Sequence, residues 1–162
     1  MNLKLLRKTE SKMPNKDEFE IAEQDRIKRV YYILKREVKF YKVPIVDLVK
    51  VQTKDPFKVL VATILSARSK DEMTAGVAKR LFGKISKPND LNQFSIKELE
   101  ELIFPIGFYH NKAQYLKRLP GVLEKEFSNT IPDNVEDLMK LPGVGRKTAN
   151  LVVAVAFEKP AV

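Results

Sequence analysis

The segment Leu141-Pro142-Gly143-Val144-Gly145-Arg146-Lys147-Thr148-Ala149-Asn150 holds the residues whose types and spacing point most directly to chemistry. Gly143 and Gly145 permit unusual backbone torsions and leave amide N–H groups uncovered. A helix reads from Arg146 onward, so its positive dipole end and its unpaired amides meet at the same turn, which predicts a phosphate-binding hairpin. Pro142 pre-sets the turn, while Leu141, Val144 and Ala149 are spaced to pack the flanking helices together. Lys147 lies in the first turn, where the dipole disfavours an ammonium and favours a neutral amine, which is a nucleophile. Helix starts ordinarily carry acids, so Arg146 and Lys147 side by side require an anionic ligand or a chemical role. The plain alternatives are an ordinary Gly-x-Gly turn and a solvated lysine, the condition of most basic residues in so basic a chain.

The rest of the chain must fold so as to present that turn. Its 162 residues suit one domain or one domain with an appendage, and 44% hydrophobic residues suffice for a core. With 30 Lys+Arg against 21 Asp+Glu the net charge is +9, which favours a polyanionic partner such as nucleic acid. Zero Cys and one His exclude disulfides, thiol nucleophiles, zinc-thiolate sites and cysteine-ligated iron–sulfur clusters within these residues. No segment has the length of apolar sequence needed to cross a bilayer, and the N-terminus lacks a signal-peptide pattern. The expectation is a soluble, cytoplasmic, nucleoid-associated protein with no membrane partner.

Helical periodicity dominates. Residues 1–16 read as a basic flexible tail, residues 17–52 as an N-terminal helical segment, and residues 53–162 as the principal helical domain. Ile27, Val30, Tyr31, Leu34, Val38 and Tyr41 share one face of a long helix, which ends around Pro44. Asp55-Pro56 starts a second helix carrying Phe57, Leu60, Val61, Ile64 and Leu65. Ser69 with Glu72, and Ser95 with Glu98, read as capping boxes. A helix from about Asn111 should be kinked or interrupted by Pro120-Gly121; a short one is expected over Asp133 to Lys140, and another over Arg146 to Ala156. Leu119-Pro120-Gly121-Val122 copies Leu141-Pro142-Gly143-Val144, but it continues into Leu123-Glu124-Lys125-Glu126, placing acids where a phosphate would sit. The fold class is all-α, a bundle with the hairpin at about 135–156.

LPGVGRKTAN resembles the helix-hairpin-helix of the endonuclease III family of DNA glycosylase/AP lyases. Asp55-Pro56-Phe57 through Leu65-Ser66-Ala67-Arg68 resembles that family's helix and following loop. Ile106-Gly107-Phe108-Tyr109-His110-Asn111-Lys112-Ala113 resembles its second DNA-facing loop, and the likeness runs from about Arg26 to Val162. It implies base-excision repair on double-stranded DNA containing damaged bases or abasic sites, with oxidised pyrimidines as the family's usual substrates. Lys147 stands where the family has its Schiff-base nucleophile, and Leu141, Gly143, Val144, Gly145, Arg146, Thr148, Arg68, Phe108, His110 and Lys112 fall where it meets DNA. Arg68, where a glutamine is more usual, and Phe108, where a leucine is common, are the candidates to fill the stack vacated by a flipped base. His110 reads as a surface hydrogen-bonder rather than a base.

The family continues beyond the position of Val162 into an Asp-Thr-His segment, whose Asp assists base release, and then a four-cysteine iron–sulfur loop. Neither is among these residues, so the resemblance implies a C-terminally incomplete glycosylase without a cluster of its own. In the family, the stripe of Ile27, Val30, Leu34 and Val38 packs on that missing region, which implies self-association or a complementing chain. The alternative function is a non-catalytic helix-hairpin-helix module that binds DNA.

Overall fold

The computed structural model describes residues 16–40 and 44–161, so the basic tail before Lys16 lies outside the described residues. The chain divides into two compact units, Met1–Lys42 and Val43–Val162. In the first, helix α1 (Lys16–Glu37) runs on into a 3-10 turn over Val38–Phe40. Surface pairs one turn apart, Glu23 with Arg26 at 2.7 Å and Asp25 with Lys28 at 3.8 Å, support it. Ile27, Val30, Tyr31, Leu34 and Val38 are all exposed.

The second unit contains α2 (Ile45–Thr53), α3 (Pro56–Ser66), α4 (Asp71–Phe82), α5 (Ile96–Ile103), α6 (Tyr109–Phe127), α7 (Val135–Leu138) and α8 (Arg146–Ala156). A 3-10 segment, Pro88–Gln93, precedes α5, and no strand occurs among the described residues. α3 is apolar all round, with Phe57 and Val59 through Leu65 buried without a break, so it forms the centre of the bundle. α2, α4, α6 and α8 pack around it. Its start is as the sequence indicates: Pro56 occupies the first helical position, and the Asp55 carboxylate accepts a 2.9 Å bond from the Phe57 amide.

Several expectations are corrected. α2 is a separate helix where the sequence suggested only the end of the preceding one. Pro44 offers no side-chain cap, so no start signal is visible, yet Ile45, Val46 and Val49 bury against Val59, Ala62 and Val155. The Ser95–Glu98 capping box forms, with reciprocal bonds of 2.7 and 3.2 Å. At Ser69 there is none: α4 begins one residue later with Lys70 as its N-cap, and the Ser69 hydroxyl accepts bonds from elsewhere. α6 begins at Tyr109 and is a continuous helix through Pro120. The loss of a backbone bond there, on the order of 3 kcal/mol, is offset by full burial of Leu116, Leu119 and Leu123 against the rest of the core. α7 is shorter than expected and takes its cap from Asn134, whose side chain accepts from the Asp137 amide at 2.9 Å. No helix among the described residues is long and apolar enough to cross a membrane.

Candidate nucleic-acid interface

The turn between α7 and α8 brings Gly143 and Gly145 to the surface, but the two are glycines for different reasons. Gly143 has φ +77°, and a Cβ there would lie 2.5 Å from Cδ2 of Tyr115 on α6. Both torsion and space forbid a side chain. Gly145 is ordinary extended backbone, φ −96° and ψ 175°, and a Cβ would meet nothing within 4 Å. The unusual torsion expected of both belongs to Gly143 alone. Gly145 instead leaves the approach to α8 open: it is the N-cap, makes no side-chain cap bond, and is followed by a first turn with no acid. That is the arrangement of an anion-binding helix start.

Arg146 and Lys147 are exposed on that turn, and Thr148 is partly buried. Leu141 and Val144 are 3% and 7% exposed, so their side chains join the core and only their backbone can meet a ligand. Asn150, also on α8, has a buried Oδ1 with no hydrogen-bond partner among the described residues.

Two more loops flank this turn. Arg68, just past α3, and Phe108, just before α6, both adopt left-handed torsions, φ 56° and 58°, and both are exposed. The Arg68 guanidinium lies 5.2 Å from the centroid of the Phe108 ring. A cleft of about 290 Å³ opens between the loops and the hairpin, lined by Arg68, Phe108, Asn111, Tyr115 and Gly143 among others. A larger cleft of about 630 Å³ lies at the opposite end of α8, by Ala156 and Glu158. Charges of both signs face it, and Lys50 pairs there with Glu158 at 2.6 Å, so it offers no basic surface to a polyanion. His110 is a surface residue whose Nδ1 lies 2.9 Å from the Glu100 carboxylate.

Lys112 departs from expectation. Its side chain is buried, and Nζ donates to the carbonyls of Leu65 and Ala67 at 2.8 and 2.7 Å and to Ser69 Oγ at 3.2 Å. With all three donors matched inside the protein, it has none left for a phosphate. Burial pushes its amine down to about 8 from the usual 10.5. Arg80 and Lys117 likewise donate to backbone carbonyls, Arg80 to Leu102 and Phe104, and Lys117 to Asn92 and Phe94. Part of the positive excess thus closes helix ends and loops.

The sequence marks Ser69 only as a helix cap and Gly107 only as part of a loop motif, and it does not single out Tyr115; in the structure Ser69 and Gly107 tie the two loops together, and Tyr115 backs the hairpin at Gly143. Ser69 Oγ accepts from the Gly107 amide at 3.1 Å, and a Cβ on Gly107 would come within 2.7 Å of the Arg68 carbonyl.

A profile of the HhH-GPD superfamily of base excision DNA repair proteins matches residues 61–155. The chain belongs to that superfamily. The HhH-GPD match takes in both loops, the hairpin and Lys147. Endonuclease III of Thermotoga maritima is 43% identical over 108 residues, which are 67% of this chain and 51% of that one. Endonuclease III of Bacillus subtilis is 42% identical over 108 residues, 67% of this chain and 49% of its own. A solved structure of a non-covalent endonuclease III–DNA complex superposes with TM-score 0.71 and 38% identity, covering 83% of this chain and 62% of the other. The chain therefore spans about half the length of these curated relatives. The family's four-cysteine iron–sulfur cluster does not fit the residues present, which include no Cys to ligate it.

Proposed function

We propose that this chain acts in base excision repair as a DNA N-glycosylase with AP lyase chemistry, using Lys147 on damaged double-stranded DNA, with oxidised pyrimidines as substrates. The observation that carries the reading is an exposed lysine on the first turn of α8, directly behind an uncapped Gly145. The likeness to an endonuclease III solved with DNA supports a duplex as the ligand. Phosphate oxygens would accept bonds from the hairpin amides, which fixes the register of the strand relative to Lys147.

On an abasic site the Lys147 amine attacks the open-chain aldehyde at C1′, water leaves, and a Schiff base forms. The iminium draws electrons from C2′, whose proton is lost to water, and the electron pair of that bond expels the 3′ phosphate. Hydrolysis then returns the free amine. Release of an intact base additionally calls for a carboxylate to steady positive charge on the sugar.

A second reading is a helix-hairpin-helix module that binds DNA without cutting it, for which the uncapped start of α8 would serve equally well. Borohydride trapping separates the two. The enzyme reading expects a covalent adduct with abasic-site duplex, lost in Lys147→Ala, with much slower release of an oxidised pyrimidine from intact DNA. A folded chain that binds abasic duplex and never traps is the module, and trapping that survives Lys147→Ala overturns the assigned nucleophile.

A further inference from the structure

Arg68 and Phe108 come from different elements, each in a torsion that a residue with a side chain adopts only at a cost on the order of 1 kcal/mol or more. Something must hold them, and the contacts converge on Lys112. Its main-chain amide donates to the Phe108 carbonyl at 3.1 Å, and its Nζ donates to the Ala67 carbonyl at 2.7 Å. One residue is therefore bonded to the backbone of Phe108 and to the backbone immediately before Arg68. Ser69, on the other side of Arg68, accepts from both Lys112 Nζ and the Gly107 amide. Backbone groups flanking both exposed side chains are thus tied into one buried network.

We propose that Lys112 is a positioning residue that locks Arg68 onto Phe108, so that the two enter a duplex as one preassembled cation–π wedge. The proposal rests on the reading that these loops face DNA, and it adds that the pair acts as a unit. An arginine and a phenylalanine suit this task. The guanidinium covers the ring face before DNA arrives, and both groups have flat surfaces on which an unstacked base can lie. Lys112 serves through its acceptors rather than through a free donor, because an ammonium with three matched acceptors holds them in a fixed geometry.

The test uses a duplex containing a tetrahydrofuran abasic analogue with 2-aminopurine opposite it, whose fluorescence rises when the base is pushed out of the stack. Arg68→Ala, Phe108→Ala and the double variant are compared in three backgrounds: the wild-type chain, Ser69→Ala and Lys112→Met. We expect the wild type to raise the fluorescence, with an Arg68–Phe108 coupling of about fivefold, the scale for residues sharing one network. In the Ser69→Ala and Lys112→Met backgrounds that coupling should vanish, while the salt dependence of duplex binding stays as in the wild type. A merely structural lysine would lower all the signals together and leave the coupling intact. Coupling that persists in Ser69→Ala, or is absent from the wild type, overturns the proposal, and Ser69→Ala decides alone if Lys112→Met does not fold. A wild-type chain that binds and gives no fluorescence rise overturns the DNA-facing reading of the loops and the proposal with it.

Discussion

Gly143 and Gly145 are held by different constraints, so their substitutions should separate stability from binding. Gly143→Ala forces a Cβ into the Tyr115 ring at a positive φ and should cost about 1–3 kcal/mol, read as a lower urea midpoint. Gly145→Ser should do the reverse. A serine at this N-cap has room, and its hydroxyl accepts from an α8 amide, so stability should hold or rise by a few tenths of a kcal/mol. That bond occupies an amide a phosphate would use, so duplex affinity should fall; unchanged affinity would remove the hairpin as the phosphate site. Lys112 supplies a pH prediction. Its amine sits at about 8 in the fold against 10.5 ordinarily, so across that window the unfolded chain binds more protons and stability rises with pH. Below about 8 both states are protonated and the burial penalty is complete. The wild-type urea midpoint, relative to Lys112→Met, should therefore increase from about pH 8 to 10.5; a decrease would mean that the three hydrogen bonds outweigh burial. The inward fate of Lys112 was legible in principle. It shares a helical face with Leu116, Leu119 and Leu123, and only its chemical type suggested solvent.

At the scale of elements, the sequence marks helices well where a start signal and an apolar period coincide, as at Asp55-Pro56 and at Ser95–Glu98. It fails where either is missing. α2 carries apolar Ile45, Val46 and Val49 but has no cap, so its existence depends on the side of α3 it covers. Pro120 shows the converse: of the kink or interruption that it suggests, the interruption does not occur, because packing carries α6 past it. Ser69 shows the same limit: a capping box requires only two residue types at a spacing, and here the hydroxyl finds partners thirty or more positions away that no local pattern reveals. The α3 cap also permits a clean separation of roles. Asp55→Ala should cost about 1 kcal/mol in stability, because the Phe57 amide loses its acceptor. It should leave duplex affinity unchanged, because Arg68 lies past the opposite end of that helix; chemical denaturation and a binding titration together check this.

For the whole molecule, the net charge of +9 overstates the basic surface available to a duplex, since Lys112, Lys117 and Arg80 are bonded to carbonyls. Affinity should still fall steeply with salt, with a log–log slope of about −0.9 for each phosphate neutralised. Arg146→Ala, at the exposed cation beside the hairpin, should reduce that slope by about one unit and Lys112→Met should not, a contrast measurable by anisotropy over a salt series. Fold class and the hairpin were readable because each rests on local patterns. The way the loops interlock was not, because it depends on single hydrogen bonds between distant segments. The contact between Gly143 and Tyr115 carries a mechanical consequence. It seats the hairpin directly on α6, the helix that Phe108 caps and that holds Lys112, so hairpin and both loops share one support. A surface seated in this way on one helix leaves more of the bending to the nucleic acid. Elastic energy, on the order of several kcal/mol for a sharp bend, would then fall on the ligand, and duplexes already weakened by a nick or a soft pyrimidine–purine step would fit with less deformation.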